Sequence, residues 1–189
     1  MPERYRKSLN KRKDGTLLED VLRSFEGNVF MPKSDSAKLL PNEKGVYIIT
    51  VQDKEALPLP MRDLRYSYLA GRPIVYVGIS NKSLRVRDYR SHFKGNTRGS
   101  TLRKSLGSLL SLAKKRTESI LSKYRFEKDD EVLLSEWMIN NLVLHYFVID
   151  NPLIIEKLLI DQLNPPLNLK DNKNIENIDF RIRLKELRR

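Results

Sequence analysis

Without a single cysteine, this chain can form no disulfide and no thiolate-ligated zinc site, and its two histidines are too few for a histidine-rich metal cage. Any metal must therefore be held by oxygens, which favours magnesium or manganese. Apolar runs are short. None is long enough to span a bilayer, and no long amphipathic helix sets aromatics opposite lysines, so no membrane role is expected. Residues 1–13 carry six basic side chains and one acid but lack the apolar core of a secretory signal, which leads to the expectation of an intracellular, cytoplasmic protein. Acid is the scarcer charge: 24 Asp and Glu stand against 36 Lys and Arg, a net charge of +12 that attracts polyanions, nucleic acid first among them. With 189 residues the chain has room for one compact domain and decorations.

The pattern along the chain divides into a basic N-terminal arm with a short helix around Leu17 to Phe25 (1–40), a core with insertions (41–170) and a basic tail (171–189). Within the core, Val46 to Val51 and Ile74 to Ile79 are β-branched runs that read as antiparallel neighbours, and Val143 to Ile149 as a third strand. The stretch Gln52 to Pro73 between the first two is long for a hairpin. Its Arg62, Arg65, Tyr66 and Tyr68 read equally as a nucleic-acid contact or an ordered surface loop. Ser83 can cap a helix to about Phe93, with Val86, Tyr89 and Phe93 on one face. Ser100 and Thr101 can start another, with leucines on one stripe and Arg103 and Lys104 among the basic residues beside it. A further helix runs through Trp137 to about Asn141. Asn151-Pro152 starts the next, which Asn164-Pro165-Pro166 stops.

On that helix Glu156 sits among Leu153, Leu159, Ile160 and Leu163 at helical spacing. A carboxylate taken out of water needs a cation, a hydrogen-bond network or a metal, and an ion pair with arginine fits the periodicity as well as a metal does. Two tripeptides add to it: Gly45-Val46-Tyr47 and Tyr76-Val77-Gly78 each place a tyrosine in a strand. Either alone is weak. Their order, followed by a helix with Arg87 and His92 and then the helix with Glu156, is specific.

In these motifs the chain resembles the GIY-YIG nuclease superfamily, over about Gly45 to Asn168. The resemblance implies an α/β (α+β) fold, a small central, mostly antiparallel three-stranded sheet flanked by helices, here with extra helical segments. Leu84-Arg85-Val86-Arg87 has the family spacing of leucine, two variable residues and arginine, which gives Arg87 the arginine role, with Arg85 as the alternative. Glu156 takes the role of metal ligand and Asn168, after Pro165-Pro166-Leu167, that of the motif asparagine. His92 takes a catalytic role with them, although it follows Arg87 by five residues where members often use four; a satisfied surface histidine is the alternative. The insertions suggest an elaborated, restriction-type member, and Gly99 to Gly107 looks like a signature without an assigned role.

The implied chemistry is phosphodiester hydrolysis with one Mg2+ or Mn2+ on Glu156. Arg87 grips a phosphate oxygen, Tyr47 is general base or water-positioning group, and Tyr76 donates a hydrogen bond. Double-stranded DNA is the expected substrate and restriction or defence the expected setting. Arg85, Arg98, Arg103 and Lys104 are the expected nucleic-acid contacts. One site per chain cuts both strands as a homodimer or in two visits. The alternatives are an inactive binding module of the same fold and an RNA nuclease.

Overall fold

A computed structural model describes residues 14–116 and 124–189, so the first 13 residues of the N-terminal arm lie outside the described residues. The centre is an antiparallel sheet whose strands lie in the order β1 (Val29–Phe30), β7 (Leu142–Val148), β2 (Gly45–Val51), β4 (Arg72–Ser80) and β3 (Tyr68–Leu69). Its three long strands, β2, β4 and β7, are the three expected from sequence. The expected count of three is corrected to five, because the two-residue strands β1 and β3 close the edges. Strands this short leave no run of apolar alternation to detect. A separate ribbon pairs β5 (Lys114–Arg116) with β6 (Tyr124–Phe126).

β2 lies between β7 and β4 and is buried along its whole length, which explains its unbroken apolar character. Its alternate residues feed two cores. Val46 and Ile48 meet α1 (Asp14–Glu26) through Val21 and Phe25, and α5 (Pro152–Leu163) through Ile155, Leu159 and Leu163. Tyr47, Ile49 and Val51 face a second core under α3 (Thr101–Leu109) and α4 (Lys128–Asn141). In the connection from β2 to β4, the short helix α2 (Leu59–Arg62) precedes β3. There Arg62 binds the Leu57 carbonyl and Glu55, and Arg65 pairs with Glu176, so these arginines knit the connection to the protein.

Two departures shape the site. The segment Arg85–Phe93 is wound as a π-helix rather than an α-helix, with the Lys94 amide reaching the Tyr89 carbonyl five residues back. The wider turn rotates Val86 outward, to 44% exposure, off the face that α-helical spacing assigns it with Tyr89 and Phe93. The second departure is at the C-terminus, where the segment read as a basic tail contains α6 (Ile178–Leu187). Phe180 and Leu184, one turn apart, drop into the second core and seat α6 against α3. The other apolar residues of α6, Ile178, Ile182 and Leu187, are exposed, so the buried pair alone makes too thin a stripe among the cations to read as a packed helix.

Candidate active site

Tyr47 pairs across the sheet with Gly78, and Tyr76 with Ile49, so the two phenols lie diagonally on one face with ring centroids 6.3 Å apart. A Cβ on Gly78 would stand 2.4 Å from the Tyr47 hydroxyl. Only glycine lets the first tyrosine lie across the neighbouring strand, which gives the last residue of Tyr76-Val77-Gly78 its steric reason.

The π-helix delivers the next groups. Five residues make one hydrogen-bonded turn there, as four do in an α-helix, so the spacing from Arg87 to His92 keeps both near the tyrosines. His92 is fully buried, and its Nε2 is hydrogen-bonded to the Tyr47 hydroxyl at 2.6 Å. Burial, with Arg87 and Arg103 nearby, pulls the imidazole well below its ordinary range, so the ring is neutral. Arg87 donates to the Gly99 carbonyl at 2.9 Å and is half-buried.

The segment Gly99 to Gly107 now has a part for nearly every residue. Ser100 caps α3 by accepting the Arg103 amide, and its hydroxyl is also 2.6 Å from His92 Nδ1. Thr101 is hydrogen-bonded to the Tyr76 hydroxyl at 3.1 Å. Arg103 donates to the His92 carbonyl at 2.9 Å, to Ser135 and to Glu131, whose carboxylate it meets at 2.6 and 3.1 Å. Glu131 also accepts the Thr97 amide. Lys104 reaches a neighbouring cleft, and Ser105 accepts from Arg188. Gly107 lies against Phe126, whose ring would be 2.1 Å from an added Cβ. Sequence reasoning singled out this segment and missed Ser100, Thr101 and Glu131. The serine-capped helix start was the available signal for Ser100; Glu131 had none.

The cleft, about 810 Å3, is lined by Tyr76, Thr101, Lys104, Glu156, Asn168 and Arg188 among others. Glu156 is half-buried there. Burial and then Asp171 push its carboxyl up from the usual range, against Lys170, Arg87 and Lys157. Burial likewise raises the Tyr76 phenol, with Glu156 adding to it and Thr101, Arg87 and Arg188 opposing. Tyr76 is thus a protonated donor on the cleft wall, whereas Tyr47 is fully buried behind it. Asn168 braces the strand between: its Oδ1 accepts the Val77 amide and its Nδ2 donates to the Val77 carbonyl, both at 2.8 Å.

Not every expected residue joins this site. Arg103 is 0% exposed and paired with Glu131, so it is corrected from a nucleic-acid contact to an internal strut. Arg85 donates to the carbonyls of Leu40 and Lys38, which ties the π-helix to the preceding segment and leaves Arg87 as the arginine facing the tyrosines. Arg98 is exposed outside the cleft lining, and Lys104 lines it.

The carboxyl of Glu156 fits a hard divalent cation: an oxygen donor, held partly out of water and raised by a second carboxylate, in a cleft roomy enough for a hydrated ion and a phosphate. Among the described residues no three His, Asp or Glu side chains converge, so water and substrate oxygens would complete the shell. Among the described residues no helix is long and apolar enough to cross a membrane.

A family model described as the GIY-YIG catalytic domain matches residues 45–189. No curated protein and no solved structure matches the chain significantly.

Proposed function

Because the chain belongs to the GIY-YIG catalytic domain family, and is therefore a nuclease-type hydrolase with a nucleic-acid substrate, we propose that it is a divalent-metal-dependent endonuclease of double-stranded DNA, of restriction or defence type. The observation that carries the reading is the convergence of Tyr76, Glu156 and Asn168 on one cleft, with the Tyr47–His92 pair directly behind Tyr76. Net charge of +12 favours a polyanionic duplex, and the added α3 and ribbon segments provide surface beyond a minimal catalytic unit.

In this reading Glu156 would hold magnesium or manganese, which supplies charge neutralisation on the phosphoryl oxygens. Arg87 grips a phosphate oxygen by its planar fork. Tyr76, kept protonated by burial, donates to the phosphate or to the attacking water. Acting as base, Tyr47 would take the water's proton as its own passes to Nε2 of the neutral His92 ring that faces its hydroxyl. Water activation is assigned to it, which requires the attacking water to sit at the inner end of the cleft, past Tyr76. Ser100 fixes the imidazole, and Asn168 keeps β4 in register beneath Tyr76.

Purified protein with plasmid DNA and magnesium tests the proposal against Glu156→Ala and Tyr47→Phe. Cutting falls by ~10²-fold or more in each, the scale on which loss of a positioned acid–base or charge-stabilising group acts, while DNA binding is largely kept. Equal nicking by all three proteins would overturn it, and cutting of RNA with DNA untouched would move the assignment to RNA.

A further inference from the structure

The cationic wall of the cleft has no part in the chemistry assigned to Tyr47, Tyr76, Arg87 and Glu156. Two of the cations that line it, Lys104 from α3 and Arg188 at the end of α6, gather with Lys114 of β5 around the buried ring of Tyr124 on β6; Lys114 itself stands outside the cleft lining. The Lys104 and Lys114 ammonium groups stand 4.8 and 5.1 Å from the ring centroid. The ring's electron-rich face partly compensates their proximity. Lys114 donates to the Leu187 carbonyl, and Arg188 donates to Ser105 at 3.3 Å, so the end of α6 is tied down on both sides.

This arrangement differs from a solvated basic face. Lys104 and Arg188 are half-buried, and burial makes both easier to deprotonate; for Lys104, the nearby Arg188 and Lys114 add to the effect. Surface lysines repelling one another in water would swing apart. Packing holds these two in place. Among the described residues neither Lys104 nor Arg188 has a carboxylate partner, whereas the equally basic Arg103 one helical position away is fully paired with Glu131. Both line the same cleft as Tyr76 and Glu156, and Arg188 is close enough to Tyr76 to favour its ionised form. Crowded, partly desolvated cations without an acid are stabilised when an anion arrives.

We propose that Lys104 and Arg188 form a second phosphate site, which holds a backbone phosphate of the substrate strand other than the one cleaved. The proposal rests on the nuclease reading, since it requires the strand to lie in the catalytic cleft. Its contacts are sequence-independent: they set the strand's register over Tyr76 and Glu156 and read no bases. The segment Gly99 to Gly107 then serves both functions, with Ser100 and Thr101 on the tyrosine side and Lys104 on the strand side.

The test uses the full chain and a fluorescent mixed-sequence DNA duplex, with binding followed in EDTA across a salt series for wild type, Lys104→Ala, Arg188→Ala, Arg188→Lys and the exposed control Lys33→Ala. Each alanine variant lowers the slope of log affinity against log salt by about 0.9, the value for one lost phosphate contact, and weakens binding by roughly tenfold. Arg188→Lys keeps the slope, because it keeps the charge, and Lys33→Ala matches wild type. Thermal melting screens each variant for folding; should Arg188→Ala fail it, Lys104→Ala and the Lys104→Gln change carry the test. In magnesium, the variants raise KM with kcat within about threefold of wild type. Unchanged slopes, or a fall in kcat at constant KM, would overturn the second site. If wild type binds with the expected slopes yet cuts nothing in magnesium, the nuclease reading fails and Lys104 and Arg188 remain phosphate contacts with no part in placing a strand for cleavage; if wild type cuts while the slopes do not move, the nuclease reading stands and the second site falls.

Discussion

Two polar regions meet at the tyrosine pair and follow opposite rules. Inward, the chain runs from Tyr47 through His92 and Ser100 to Arg103 and Glu131, and each of these groups is held by a hydrogen bond or ion pair from the chain itself. Outward, along the cleft, the Glu156 carboxyl is raised by burial and by Asp171, and Lys104 and Arg188 have no carboxylate partner among the described residues. The inner region is complete as folded. The outer one is completed by something else. A site that must hold a histidine and a phenol in place relies on satisfied buried polar groups, which rigidify when fully paired, and here the charges without a partner face the open cleft, where the proposed ion and strand would bind.

If that contrast is right, substitutions in the inner network behind Tyr47 are read in stability and those on the outer side in binding or cleavage. The largest effect is expected at Arg103. Changing it to Ala strands the Glu131 carboxylate and frees the His92 carbonyl, and should cost about 3–5 kcal/mol in urea unfolding, the usual penalty for removing one member of a buried ion pair. A loss below about 1 kcal/mol would mean that the inner network is not holding the fold.

Acid tests the same side without a mutation. Both histidines are buried, and burial pulls both below the ordinary imidazole value, His145 to about 4 and His92 well below it. In the unfolded chain each binds its proton near pH 6.5. The unfolded state therefore holds more protons below that value, so stability is full above it and declines as pH falls. His145 alone should account for roughly 3 kcal/mol by the time pH reaches 4. Urea midpoints measured between pH 7 and 4 check this, and a flat profile above pH 5 would show that the rings are protonated within the fold.

The smallest expected effect is on the outer side, and its sign is what matters. Glu156→Gln removes a carboxyl that burial and Asp171 already disfavour. Thermal melting should be unchanged or slightly higher, within about 0.5 kcal/mol, in the same preparation that no longer cuts DNA. A clear fall in stability would make Glu156 a structural group and blur the two regions into one.

How far the sequence went can be judged residue by residue. The strands around Tyr47 and Tyr76 were legible because β-branched runs beside glycines carry a local signal; Glu156, which helical spacing sets among Leu153, Leu159, Ile160 and Leu163, lies half-buried at the edge of a face formed by Ile155, Leu159 and Leu163, with Leu153 exposed. Arg103 was misplaced on the surface because its partner Glu131 is 28 residues away in another helix, and nothing local distinguishes a buried arginine from a solvated one. The C-terminal helix was read as a tail because only Phe180 and Leu184 mark its buried face.

Local order of types was therefore enough to settle the two tyrosine strands, the helix of Glu156 and the family to which the chain belongs, because strand and helix periodicities are properties of neighbouring residues. Which cations are spent inside the protein and which are left facing the cleft was decided only when α3, α4, the β5–β6 ribbon and α6 packed together. Burial and pairing depend on residues brought close by the fold, and one-dimensional spacing does not contain those distances.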